Sequence, residues 1–129
     1  MAQWRVLRNE TTSAVVLARA KWCTSFWCHF RGLMLVPELD DDTGILFVTS
    51  NESKSRTTIH MFFMLFSIGV VWLNAEGRVV DKKLAKPWRA AYAPREAAQY
   101  FIEANPVILE RVSIGDILRF DEKASPVEQ

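Results

Sequence analysis

Near the start of the chain apolar Trp4 and Val6 flank Arg5, and Leu7 follows before Arg8, which predicts a short strand over residues 4–8. Residues 9–13 are a polar turn, and residues 14–20, β-branched at Val15 and Val16, predict a second strand. The period then changes. Trp22, Phe26, Phe30 and Leu33 recur at helical spacing over residues 21–31, with Thr24 or Ser25 available as a cap and Gly32 as a stop. Residues 36–44 read as a loop, 45–48 as a short apolar strand, and 51–56 as a polar excursion. Residues 57–63 and 68–74 are β-branched and aromatic, and predict two central strands. The turn Asn74-Ala75-Glu76-Gly77 leads into Arg78-Val79-Val80 as a hairpin, and Pro87 and Pro94 mark an irregular connection. Residues 97–103 fit neither period and stay open between helix and strand. Pro106 suits the first turn of a short helix running to Val112, capped by Asn105; Gly115-Asp116 then turns the chain into a last strand over 117–120. These elements predict a mainly β fold: a small antiparallel sandwich or barrel-like domain over residues 1–120 with one or two short helices. Residues 121–129, polar and containing Pro126, are expected to be a flexible C-terminal tail.

Composition narrows this picture. The chain has 129 residues, half of them apolar, which suits one domain with a proper core. Its net charge is +1, from 16 basic and 15 acidic residues. So even a balance supplies no long-range field for nucleic acid or an anionic membrane, and binding to either would have to come from a local patch. Neither is expected as a partner. The most apolar run, residues 61–73, is shorter than the roughly 20 residues a spanning helix needs. Residues 1–13 carry Arg5, Arg8 and Glu10 and no apolar h-region, so a soluble cytoplasmic protein is expected. Cys23 and Cys28 are too few for a disulfide framework, and free thiols are expected in a reducing compartment.

Several strings then stand in a definite order. Arg31-Gly32-Leu33-Met34 is followed by Gly44-Ile45-Leu46-Phe47, His60-Met61-Phe62-Phe63-Met64, residues 68–74 and Gly77-Arg78-Val79-Val80. Lys86-Pro87-Trp88-Arg89, Tyr100-Phe101-Ile102-Glu103 and Gly115-Asp116-Ile117-Leu118 complete the series. From about residue 14 to 120 this order resembles the domain-of-unknown-function family 192, conserved prokaryotic proteins without an assigned activity. The resemblance implies a mainly β, sandwich-like fold and makes residues 97–103 a strand. It supplies no mechanism. Family members often carry Pro and then, two residues later, Asp after the position of Phe66; here Ser67 and Gly69 stand there. An Asp at 69 would be the natural candidate for a polar site beside His60, and a purely architectural role for it is the alternative.

The candidate chemistry is thin. His60, Glu103 and Asp116 are the polar residues inside the best-defined strings. A His beside a carboxylate can act as a general base, with Arg31, Arg89 and Trp88 as ligand-binding candidates. The plainer account makes His60 a hydrogen-bonded residue at a strand edge, gives Glu103 an Arg partner, and lets Asp116 shape the turn before the last strand. Cys23, Cys28 and His29 lack the spacing of a structural zinc site, so no metal and no cofactor are expected. The two Cys read instead as small apolar residues on a partly buried helix. Lys82, Lys83, Lys86, Trp88, Arg89, Tyr92 and Arg95 mix cations with aromatics, a strip that reads more simply as a solvated connection. Five Trp and eight Phe are many for this length. Phe62, Phe63, Phe66 and Trp72 are expected to fill the core, with any surplus apolar face covered by the helix, by loops, by a ligand or by a second subunit. The expectation is therefore a non-enzymatic domain that binds a small ligand or a protein partner, a homodimer being one form of this. The alternative is a small enzyme with an acid/base site built around His60 and a nearby carboxylate.

Overall fold

The computed structural model describes residues 3–25, 28, 33 and 39–123, the Glu122 side chain excepted. Its strands are β1 (Gln3–Asn9), β2 (Ala14–Cys23), β3 (Thr43–Ser53), β4 (Ile68–Leu73), β5 (Val79–Ala85), β6 (Ala98–Ala104) and β7 (Leu118–Lys123), with one turn of helix, α1 (Ile108–Arg111), before β7. All seven strands form a single sheet in the order β5-β4-β6-β3-β2-β1-β7. Every neighbouring pair is antiparallel except β2 and β3, which run parallel and are joined by the long connection that such a pair requires. The fold is thus mainly β and barrel-like, as expected; of the two alternatives the chain takes the single curled sheet and not the sandwich.

The curl brings the first and last strands of the sheet together at one end. Arg78 and Ile117 form a bridge. The Val79 N–H donates to the Asp116 carbonyl at 2.8 Å, and the Leu118 N–H donates to the Gly77 carbonyl at 2.8 Å. Gly77 sits at φ 85°, and a Cβ there would lie 2.7 Å from the Leu118 carbonyl oxygen, so both the turn and the closure need glycine. The result is a half-barrel.

Two layers of apolar side chains follow from this shape. Inside the curl, Leu7, Leu17, Leu46, Val71, Leu73 and Ile102 pack against Ile108 of α1 and the following Val112. On the outer face of β3, β4, β5 and β6, Ile45, Phe47, Val70, Trp72 and Phe101 form a second core beneath the connecting segments. Phe47 and Phe101, directly opposed in register, stack with centroids 4.5 Å apart. Strand β4 is covered on both faces, which is why all six of its residues are buried and its sequence shows no alternation.

Several expectations need correction. Residues 57–63 are not a central strand. Thr57, Ile59 and Met61 are buried at every second position, but the segment lies over the outer core, bridging only at Ile59 to Tyr92, with the Trp72 Nε1–H donating to the Thr57 carbonyl at 2.6 Å. Phe62 and Phe63 consequently face solvent, while Phe66 and Trp72 enter the core. Lys21, Trp22 and Cys23 continue β2 instead of opening a helix. The Ser25 hydroxyl does accept the Cys28 N–H, at 3.1 Å; Phe26, Phe30 and Gly32 lie outside the described residues. Cys28 is itself helical; its Cα is 5.7 Å from that of Cys23 at the end of β2, and the two are joined by a disulfide instead of remaining free thiols. Finally, Asp121 to Lys123 belong to β7, with Lys123 paired to Arg5, so the last strand extends into the expected tail; residues 124–129 lie outside the described residues.

The remaining ambiguity resolves as strand β6. The short helix is present, but Asn105 is not its cap: the cap position is Val107, which makes no side-chain cap hydrogen bond, and the Asn105 side chain accepts the Val107 N–H at 3.1 Å in the turn before the helix. At its C-terminal end Lys82 Nζ donates to the carbonyls of Leu109 within the helix and of Val112 just after it, at 2.7 and 2.8 Å.

Candidate functional site

The connections before β4 and after β5 run side by side over the outer core. Ile59 and Tyr92 exchange backbone hydrogen bonds at 2.9 Å in both directions. The Met61 N–H donates to the Arg89 carbonyl at 2.9 Å, and the Trp88 N–H donates to the Met61 carbonyl at 2.6 Å. Ile59, Met61 and Met64 point into the core, so the residues between and beyond them point out. Phe62, Phe63 and Leu65 are exposed on one turn, and Trp88 on the neighbouring one. Phe63 and Trp88 pack edge to face with centroids 5.1 Å apart, yet remain 50% and 56% exposed.

Both of these residues have left-handed backbones, Phe63 at φ 61° and Trp88 at φ 67°. Bulky side chains rarely adopt that region, and each instance costs on the order of 1 kcal/mol. Two large, half-exposed rings thus stand on strained turn backbone. His60 stands beside them: its Nδ1 accepts the Phe62 N–H at 3.3 Å, and its ring stacks against Phe62 at 5.6 Å. Three of the sequence candidates, His60, Trp88 and Arg89, thus share one neighbourhood. Lys86 and Arg89 bracket Trp88, are exposed, and make no ion pair among the described residues.

Glu103 lies elsewhere in the same layer. On β6 it faces the outer core between Ile45 of β3 and Val70 of β4, its register partners. It is 7% exposed, and burial among apolar side chains raises its pKa from 4.5 to about 8, so the carboxyl keeps its proton at neutral pH. An Arg partner for it is not found among the described residues. Asp116 is at the half-barrel closure. Its Oδ2 accepts the Asn9 side-chain N–H at 2.7 Å and the Ser113 N–H at 2.8 Å, which ties the end of β1 to the turn before β7. Arg31 lies outside the described residues.

Position 69 also has a definite place. Gly69 is on the inner face of β4, where a Cβ would lie 2.6 Å from Ile108 Cγ2 and 3.1 Å from Leu109 Cγ. An Asp at this position points at α1, on the opposite face of the sheet from the connection that carries His60, so it does not build a site beside His60. Among the described residues no group of three or more His, Cys, Asp or Glu side chains could hold a metal ion. No helix among them is long and apolar enough to cross a membrane.

Phe62 and Phe63 belong to a motif string but read there as core, and Leu65 lies outside the strings; all three are exposed functional candidates. A signal for them exists: two adjacent Phe in an extended segment cannot both face the same core, so one of the pair must find another environment.

Residues 7–120 match the family model of DUF192, described as an uncharacterised ACR. A UPF0127 protein of Thermococcus kodakarensis is 43% identical over 128 residues, covering 93% of this chain and 79% of its own length. A UPF0127 protein of Thermococcus gammatolerans is 41% identical over 128 residues, 93% of this chain and 81% of its own. Among solved structures, a Sinorhizobium meliloti protein described as a candidate transcription regulator superposes with a TM-score of 0.79 at 20% identity, covering 93% of this chain and 94% of that one. A Novosphingobium aromaticivorans protein of unknown function superposes with a TM-score of 0.76 at 16% identity, covering 92% and 84%. At these identities the likeness is one of fold.

Proposed function

This chain belongs to the DUF192 family, and from that premise we propose that it is a non-enzymatic interaction domain whose working surface is the ridge of Phe62, Phe63, Leu65 and Trp88. The observation that carries this reading is the left-handed backbone at both Phe63 and Trp88 beneath half-exposed rings. Local strain of this kind persists where surrounding structure enforces it, and it concentrates at sites of function. Large, half-exposed rings on such backbone fit a surface that is covered when a partner arrives. An acid/base site around His60 has weaker support, because Asp116 is committed to Asn9 and Ser113 at the half-barrel closure.

The test separates a docking ring from a structural one. Glycine tolerates a positive φ without strain. Phe63→Gly and Trp88→Gly, made singly, lose the edge-to-face contact but relieve the backbone, and the two effects are each about 1 kcal/mol. Chemical denaturation is therefore expected to place both variants within about 2 kcal/mol of the parent. A larger loss in either would make the rings part of the fold and remove this reading.

A further inference from the structure

We propose that the aromatic ridge is a peripheral docking site for a bilayer surface containing anionic lipids, an assignment that rests on the reading of the ridge as a docking surface. The balanced total charge conceals a local segregation. Residues 54–67 and 82–95, the stretches that form and flank the ridge, contain seven Lys and Arg and no Asp or Glu. The rest of the chain holds nine basic and fifteen acidic residues. Some of the seven are engaged within the fold: Lys82 on the carbonyls of α1, and Lys83 and Arg95 on buried Asp81 at 3.7 and 3.6 Å. Lys86 and Arg89, on either side of Trp88, have no acidic partner among the described residues, and Lys54 is exposed on the neighbouring connection. Apolar tips thus stand next to exposed cations.

The shape selects among occupants. The ridge is built from two adjacent turns whose side chains project outward, whereas a small-molecule ligand needs a concave, enclosing pocket. A groove of about 240 Å³ lies away from the ridge, between the β4–β5 turn and β7, lined by Glu76, Gly77 and Phe120 among others. A projecting apolar ridge rimmed by cations matches an interface that is apolar below and anionic above. Phe and Leu side chains enter the acyl boundary, the Trp indole lies at the headgroup level, and Lys and Arg meet the charged headgroups. Single-stranded nucleic acid would use the cations, but would leave Leu65 and Phe62 without a role.

The experiment is partition of the full chain onto vesicles of phosphatidylcholine alone and with about 30 mol % phosphatidylserine, followed by sedimentation. Binding to the anionic vesicles is expected to be stronger by about tenfold or more and to weaken with salt. The Phe63→Gly/Trp88→Gly double variant is expected to lose that binding, and Lys86→Glu/Arg89→Glu to lose the headgroup preference. Equal partition onto both vesicles, or undiminished binding by the double variant, overturns the proposal. So does a dimer in native mass spectra that Phe63→Gly dissolves, which would make a second copy the occupant, or displacement of the vesicles by a single-stranded oligonucleotide. The glycine variants keep the two levels apart. If they are stable but the parent ignores anionic vesicles, the lipid assignment fails alone; if they are destabilised beyond the limit above, the docking reading fails with it.

Discussion

Glu103 shows how a single residue couples burial to pH. Its carboxyl titrates at 4.5 in the unfolded chain and at about 8 in the fold. Below pH 4.5 both states hold the proton, and stability does not depend on it. Between 4.5 and 8 the unfolded chain releases the proton while the folded one retains it, so stability falls as pH rises, by up to about 1.4 kcal/mol per unit. Above 8 both states are ionised and the slope ends. Glu103→Gln keeps the shape of the neutral acid and removes this dependence. Urea unfolding of the parent and this variant is expected to give similar stabilities near pH 4.5. Toward pH 8 the Glu103→Gln variant is expected to become the more stable of the two, by a margin that widens as pH rises. A gap that stays constant would mean that the carboxyl ionises in the fold as easily as in water. Glu103 can be picked from the sequence as a polar residue inside an apolar string, but its environment cannot, because Ile45 and Val70 reach it from strands far away in the chain.

At the scale of elements, the contact between β4 and α1 decides what position 69 is for. The space of a side chain at Gly69 is already taken by Ile108 and Leu109. Gly69→Asp is expected to cost about 2 kcal/mol, as overpacking does. Ile108→Ala opens a cavity of its own, but the double variant should be less destabilised than the sum of the two by about 1 kcal/mol or more. Strict additivity in denaturant titrations would mean that residues 69 and 108 do not compete for this space. The strands themselves are largely legible, since β-branching at β2 and β4 is a local property, although the face of β1 that is buried is that of Leu7 and Asn9 and not that of Trp4 and Val6. Residues 57–63 mislead for a physical reason: a segment that covers a sheet buries every second side chain just as a strand within it does. What differs is the hydrogen-bonding partner, here residues 88–92, which no local pattern specifies.

At the scale of the molecule, the half-barrel depends on its closure. Asn9 is fully buried, and its amide nitrogen donates to Asp116 at 2.7 Å and to the Arg111 carbonyl at 3.4 Å. Asp116→Ala would leave that amide short of an acceptor and is expected to cost about 2–3 kcal/mol. Faster hydrogen exchange at the amides of Val79 and Leu118, which cross the closure, should accompany the loss. If stability and exchange at these amides were unchanged, Asp116 would not be a structural tie and its case as a reacting group would revive.

Side-chain period, turn residues and ordered strings suffice for the class of the fold, the main strands, the short helix before β7 and the family, because each of these is written locally along the chain. The charge segregation on which the ridge depends is written there too, although the balanced total hides it. Four further facts come from the folded chain alone: there is one curled sheet, Cys23 and Cys28 are bonded, Asp116 belongs to Asn9, and Phe63 and Trp88 meet in solvent. Each is set by backbone pairing and chain reversal, which bring side chains together without leaving a period in the sequence that could announce them.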